Sequence, residues 1–106
     1  MGYKTTATGD NSTAIGESTT ATGDFSTAMG VNTRATGDFS TAMGNETTAS
    51  GYASTAMGAN TTADTYGQIT IGMYNTTLAG STTVFDANDR LFVIGNGKIN
   101  ILHRMP

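Results

Sequence analysis

The sequence predicts an all-β solenoid, a β-roll in which the chain winds in flat coils of fourteen residues. Alanine recurs at every seventh position from 7 to 63, and glycine does so from 9 to 58. The segment 23–30, Gly-Asp-Phe-Ser-Thr-Ala-Met-Gly, returns unchanged at 37–44, so the full repeat consists of two sevens. A fixed period this short indicates stacked coils, because one coil is too small to hold a core of its own.

The composition supports the same fold class. The chain has 106 residues, of which 12% are charged and 8% are aromatic, and it contains neither Trp nor Cys. This length suits one domain, but the large apolar residues are too few for a globular core. Thr, Ser, Ala and Gly recur in strict phase, so we expect order that comes from stacking rather than a disordered low-complexity chain. The lack of Cys excludes disulfides and cysteine-bound metal.

Each group of seven residues predicts a corner followed by a strand. In residues 16–22, Gly16 and the two polar residues after it favour a corner, and the threonines that follow favour a four-residue strand. Two such strands and two corners would complete one coil.

The interior of the roll is predicted from side-chain size. Neighbouring side chains of a strand point to opposite faces, so Ser26 and Ala28 share one face while Thr27 and Met29 share the other. A flat coil leaves room only for small side chains between its two strands. We therefore predict that the roll interior is formed by Ala14, Ala21, Ala28, Ala35, Ala42, Ala49 and Ala56.

The residues that follow alternate alanines predict an oligomer interface. In one half of each coil these outward positions are apolar, namely Ile15, Met29, Met43, Met57 and Ile71. Their counterparts in the other half are polar, namely Thr8, Thr22, Thr36, Ser50 and Asp64. Phe25 and Phe39 are expected to widen the apolar stripe. An exposed stripe of this kind marks an interface, and the small interior gives a single chain little stability, so we expect a homo-oligomer.

Two units of the repeat resemble a known family. Residues 11–16, Asn-Ser-Thr-Ala-Ile-Gly, and 25–30, Phe-Ser-Thr-Ala-Met-Gly, resemble the Asn-Ser-Val-Ala-Ile-Gly repeat of YadA-like heads in trimeric autotransporter adhesins. The resemblance covers residues 5–78. It implies a left-handed parallel β-roll, a homotrimer, and display of an adhesin at the bacterial outer membrane. Here Thr replaces Val, and Met mostly replaces Ile, which predicts a more polar and more pliable interface.

Residues 79–106 predict a separate C-terminal cap or neck. The apolar runs 91–94 and 99–103 flank the segment 95–98, whose Asn-Gly pair favours a tight β-hairpin turn. We expect this hairpin to cover the strand edges at the end of the roll. The stretch 91–97 also resembles the segment that follows similar repeats in tail-fibre-like proteins of phages and in chaperone-terminated bacterial surface proteins.

No pattern of residues indicates an enzyme, a cofactor or a metal centre. Asp10, Asp24 and Asp38 recur at identical corners, where solvated carboxylates are favoured over a column of bound cations. His103 is the single histidine and has no Ser or Cys partner at a suitable spacing. A further group of residues near corners is expected to be packed or exposed rather than to bind a ligand: Tyr52, Tyr66 and Tyr74.

Charge and hydropathy restrict the partners. The net charge is −3, and the five Lys and Arg are spread along the whole chain, so no phosphate-binding stripe for nucleic acid is predicted. No apolar run reaches the roughly eighteen residues of a membrane span. The repeat is already in phase by Ala7, so we expect a segment of a longer protein that does not itself insert into a membrane.

Three functions are consistent with these observations. The leading hypothesis is an adhesive or spacer head, extracellular on a bacterial cell surface, that contacts matrix or host surface glycoproteins. The second is a segment of a phage tail fibre or a similar trimeric host-recognition fibre on a virion. The third is an ice-binding solenoid, which the outward Thr-x-Thr row at Thr20 and Thr22 suggests. It is the least favoured, because Arg34 and Asp64 interrupt this row in other coils.

Overall fold

The computed structural model describes residues 1–75, 90–96 and 100–104 and forms a parallel β-solenoid with two sheets. The strands in chain order are β1 Gly2–Tyr3, β2 Thr6–Ala7, β3 Thr13–Glu17, β4 Thr20–Ala21, β5 Thr27–Val31, β6 Arg34–Ala35, β7 Thr41–Asn45, β8 Thr48–Ala49, β9 Thr55–Ala59, β10 Thr62–Ala63, β11 Ile69–Met73, β12 Arg90–Asn96 and β13 Asn100–Arg104. The large sheet has the order β1-β3-β5-β7-β9-β11-β12-β13, and the small sheet has the order β10-β8-β6-β4-β2.

Successive coils pair in a register of fourteen residues. In the large sheet Ala14 pairs with Ala28, which pairs with Ala42, and in the small sheet Ala21 pairs with Ala35. All the pairings from β1 to β11 in the large sheet, and all those in the small sheet, are parallel. The predicted all-β roll with coils of fourteen residues is therefore confirmed.

The two halves of a coil are unequal, which corrects the prediction of two similar strands. The large sheet has strands of five residues, such as β3, whereas the small sheet has strands of two, such as β4. Gly16 and Glu17, predicted to form a corner, belong to β3 and pair with Gly30 and Val31. Because Gly16 has no Cβ, the backbone of the next coil can approach it closely and β3 continues through this position. The corner therefore begins only after Glu17.

Alanine and small hydroxyl side chains fill the space between the sheets. The predicted interior alanines lie in one buried cluster and are at most 3% exposed. Ser and Thr two positions before each alanine share this interior, as Ser26 and Thr33 illustrate at 1% and 0% exposure. Within the described part of the chain, seven buried hydroxyl oxygens have no hydrogen-bond partner in the protein, among them those of Ser26 and Thr33.

Every seventh residue has the left-handed backbone conformation that turns a corner. These residues have φ between 53° and 68°, and only one of them is glycine: Lys4, Asn11, Ser18, Phe25, Asn32, Phe39, Glu46, Ala53, Asn60, Gly67 and Tyr74. From Ser18 onward each donates its backbone N–H to a carbonyl fifteen residues earlier, as Phe25 does to Asp10 at 2.7 Å and Asn32 to Glu17 at 2.9 Å. These inter-coil bonds offset the cost of the left-handed conformation, about 1 to 2 kcal/mol per residue.

Two columns of glycine allow the coils to stack closely. A Cβ on Gly23 would lie 2.1 Å from the carbonyl oxygen of Gly37, and a Cβ on Gly30 would lie 2.0 Å from that of Gly44. Gly30 also has φ of +122°, which side chains rarely allow. The period of the glycines is thus explained by backbone contact between coils.

The two C-terminal strands, β12 and β13, extend the large sheet. β12 pairs parallel with β11, and β13 pairs antiparallel with β12. Val93 takes the interior position opposite Thr70 and is fully buried. The turn predicted at 95–98 lies partly outside the described residues, so the hairpin and the domain boundary at 78 and 79 stay predictions.

Candidate oligomer interface

The outer face of the large sheet carries a continuous column of branched and thioether side chains. Its members occupy one register position on six neighbouring strands: Ile15, Met29, Met43, Met57, Ile71 and Ile94. We call this set the apolar column. All six side chains are half-buried in the single chain. Every residue predicted for the stripe from a position after an alanine thus lies in this column.

The column beside it changes character towards the C-terminal end. Its first four members are Thr13, Thr27, Thr41 and Thr55. The next two are Ile69, which is 41% exposed, and Phe92, which is half-buried. The outer face is therefore narrowly apolar over β3 to β9 and broadly apolar over β11 and β12.

The outer face of the small sheet is polar. Its register positions are Thr6, Thr20, Arg34, Thr48 and Thr62. The other outward positions in this half, predicted as counterparts of the apolar stripe, include Thr22, which is exposed, and Thr36, which is half-buried. The two outer faces of the roll differ in polarity, so association through apolar burial would use the large sheet.

Phe25 and Phe39 occupy corners rather than strands. They are 52% and 51% exposed, and their rings stack with centroids 5.1 Å apart. Phe39 meets Tyr52 edge-on, with centroids 5.6 Å apart and an angle of 61° between the ring planes, and Tyr52 stacks on Tyr66 at 5.2 Å. Tyr52 and Tyr66 come from the register position one residue earlier, and the corner residues beside them are small, Ala53 and Gly67. We call these four rings the aromatic ladder, and it lies at the edge of the roll.

Carboxylates of the corner aspartates accept hydrogen bonds from backbone N–H groups of the preceding coil. The N–H of Asp10 donates to Asp24 Oδ1 at 2.9 Å, and the N–H of Asp24 donates to Asp38 Oδ1 at 3.0 Å. Among the described residues there is no group of three His, Cys, Asp or Glu side chains that could hold a metal ion. The carboxylates of Asp24 and Asp38 thus link neighbouring coils through hydrogen bonds.

Sequence reasoning missed two parts of this surface. Phe92 and Ile94 continue the outer columns although each lies 23 residues after its register partner, Ile69 or Ile71, where the regular offset is 14. The pattern 92–95, Phe-Val-Ile-Gly, matches 69–72, Ile-Thr-Ile-Gly, and could have identified this strand. The aromatic ladder was missed because its rings come from two different register positions, so no single period of seven contains them.

The comparison with protein families identifies the repeat. The model of the YadA head domain repeat, two copies, matches residues 1–19, 7–33, 21–47, 35–61 and 49–67. Together these matches cover residues 1–67, more than half of the chain. The chain belongs to the YadA head repeat family. The resemblance predicted from residues 11–16 and 25–30 is therefore confirmed.

The phase of the YadA head matches agrees with the structure. Matches begin at 7, 21, 35 and 49, one coil apart, and each start lies at a small-sheet alanine. No curated protein matches the chain. No helix within residues 1–75, 90–96 and 100–104 is long and apolar enough to cross a membrane.

Proposed function

We propose that this chain is a non-enzymatic head segment of a trimeric surface adhesin, which assembles as a homotrimer and mediates or spaces adhesion outside a bacterial cell. The observation that supports this most is the apolar column on the outer face of the large sheet. YadA heads are homotrimeric in general, and membership of that family is the second support.

The energetics favour association through this face. Complete burial of a Met or Ile side chain stabilises by about 1.5 to 3 kcal/mol. The interior of one roll consists mainly of alanine and small hydroxyl residues, which contribute much less. A partner chain that covers Met29, Met43 and Met57 would therefore supply much of the apolar burial that the single roll lacks.

The polar small sheet and the corners would then face outward. The threonines of the small sheet offer hydroxyl groups in regular rows, and the aromatic ladder offers ring edges along one side of the rod. In the proposed trimer these surfaces are the ones left for contact with extracellular matrix or a host surface glycoprotein.

The test is solid-phase binding of the assembled protein to purified matrix proteins. Sedimentation equilibrium first establishes the number of chains, and binding is then measured for the wild type and for Thr20→Lys with Thr48→Lys on the small sheet. A matched control, Thr27→Lys with Thr55→Lys on the large sheet, reports on assembly. We expect a trimer whose binding is weakened by the small-sheet pair. A correctly assembled trimer that binds no matrix protein would contradict an adhesive role and favour a spacer or a host-recognition fibre.

A further inference from the structure

In the part of the chain that the structure describes, β10 is the last strand of the small sheet, and its edge differs from that of every earlier coil. In a regular coil, three backbone N–H groups of the small sheet donate to the coil that follows. Thr48 donates to the Thr61 carbonyl at 2.9 Å, while Ser50 and Gly51 both donate to the Ala63 carbonyl, at 2.9 and 3.2 Å. The same three bonds recur in the coils before it. Each coil of the small sheet is thus joined to the next by N–H groups of the earlier coil and carbonyl oxygens of the later one.

At β10 the same three N–H groups bond to side chains. Thr62 N–H donates to Asn75 Oδ1 at 2.6 Å. Asp64 N–H and Thr65 N–H both donate to Gln68 Oε1, at 3.1 and 3.2 Å. The two amide oxygens thus replace the two carbonyl oxygens that a following coil would supply.

Both amides stand in interior columns that otherwise hold small hydroxyl residues. Gln68 follows Ser12, Ser26, Ser40 and Ser54, and Asn75 follows Thr19, Thr33, Thr47 and Thr61. Ser and Thr side chains are too short to reach the strand edge, whereas the amides reach it. Asn75 Nδ2 also donates to the Thr62 carbonyl at 2.9 Å, so one side chain binds both edge groups of this residue.

A third departure from the repeat gives the buried amide nitrogen of Gln68 a hydrogen-bond acceptor. Thr70 occupies the column of Ala14, Ala28, Ala42 and Ala56. Gln68 Nε2 donates to Thr70 Oγ1 at 2.8 Å, and Thr70 Oγ1 donates to the Thr62 carbonyl at 3.2 Å. Gln68 is 1% exposed, so these bonds are shielded from water.

Thr65 adds a steric block at the corner. It occupies the column of Gly9, Gly23, Gly37 and Gly51. A Cβ at Gly51 would lie 2.1 Å from the carbonyl oxygen of Thr65, and the other three glycines give 2.1 to 2.2 Å to the coil that follows each. The Cβ of Thr65 would meet the backbone of any coil stacked on it in the same register.

We propose that Thr65, Gln68, Thr70 and Asn75 form a stop that closes the C-terminal edge of the small sheet against pairing with a second copy of this chain. An open strand edge is a template for such pairing. In a repeat whose coils are all alike, the first coil of one copy could pair with the last coil of another in the same way as neighbouring coils do. The stop would also define where the run of small-sheet coils ends. It concerns the end of the rod and does not depend on the interface along its side.

Residue-specific hydrogen exchange of the full-length wild-type protein is the first test. We expect the amides of Thr62, Asp64 and Thr65 to be as protected as those of Thr48 and Ser50. Gln68→Ala should speed exchange at Asp64 and Thr65 by roughly tenfold or more, without changing Thr62. Asn75→Ala should speed exchange at Thr62 without changing Asp64 and Thr65. Fast exchange of all three amides in the wild type, or no change in either variant, would overturn the proposal.

Sedimentation velocity of a variant that restores the repeat residues is the second test. Gln68→Ser with Asn75→Thr should produce species heavier than the wild-type assembly, in proportions that grow with protein concentration. The control changes the same two columns in a regular coil, Ser40→Ala with Thr47→Val, and should sediment like the wild type. A folded restored variant that also sediments like the wild type would contradict the proposal. If that variant does not fold, the exchange rates of the wild type and single variants decide.

Discussion

Asp24 Oδ1 accepts a hydrogen bond from the backbone N–H of Asp10, 2.9 Å away and one coil earlier in the stack. Asp38 holds Asp24 in the same way at 3.0 Å. Like charges in one column repel, and these bonds to backbone offset that cost because a carboxylate is a strong acceptor. The corner carboxylates are therefore exposed and structural at once.

Removal of one carboxylate should weaken the stack measurably. Asp24→Ala should lower the free energy of unfolding by about 1 kcal/mol, since the Asp10 N–H loses its acceptor. Asp24→Asn keeps an oxygen in the same place and relieves repulsion, so its stability should match the wild type or exceed it. Chemical denaturation followed by circular dichroism measures both. Equal losses in the two variants would show that the charge, and not the hydrogen bond, matters at this corner.

The glycine columns predict a large difference between two Gly→Ala substitutions. Gly30→Ala should cost well over about 3 kcal/mol, because its Cβ would meet the Gly44 carbonyl at 2.0 Å in a backbone conformation of φ +122°. Gly67→Ala places a Cβ where no atom of the described residues beyond its chain neighbours lies within 4 Å, and should cost only about 1 to 2 kcal/mol for its left-handed conformation. Thermal unfolding of the two variants gives the comparison. Similar midpoints would mean that the coils can move apart to admit a methyl group.

The left-handed corner at Ala53 predicts a stabilising substitution. Ala53 has φ of 55° and is exposed, so Ala53→Gly should stabilise by about 0.5 to 1 kcal/mol. Ala35→Gly, at a buried strand position, is the control and should destabilise by about the same amount. Denaturant midpoints check both signs. A loss of stability in both variants would contradict the assigned conformation at residue 53.

Neighbouring residues of β7 test which face is inside. Ala42→Leu puts a branched side chain between the two sheets and should cost about 3 kcal/mol or more. Met43→Leu keeps the volume and the apolar character on the outer face, and should change the free energy of unfolding by less than about 1.5 kcal/mol. The soluble yield and the melting midpoint are the measurements. A tolerated Ala42→Leu would show that the interior has more room than its alanines indicate.

The features of the fold that depend on the seven-residue repeat could be predicted from the sequence. Alanine at every seventh position specifies a narrow interior, and the apolar residue after alternate alanines specifies different outer faces. Both statements depend only on side-chain size and on the alternation of a strand. They hold for Ala28 and Met29 in the structure as they do in the sequence.

The parts that depend on backbone conformation could not be predicted. The left-handed corner is occupied by residues as different as Phe25, Glu46 and Ala53, so composition conceals it. Gly16 was assigned to a corner because glycine favours turns, whereas its actual reason is contact between coils within a strand. Gln68 and Asn75 replace the Ser and Thr of their columns, but the sequence alone does not reveal the hydrogen bonds that they make to the strand edge.

In the proposed trimer, other copies of the same chain cover the apolar column. Sedimentation equilibrium combined with circular dichroism, on the wild type and on Met29→Glu with Met43→Glu, tests it most directly. We expect three folded chains for the wild type, and a variant that dissociates and unfolds in one step because the small interior cannot sustain a single roll. A variant that sediments as a folded monomer, or a wild type that is monomeric and stable, would contradict it.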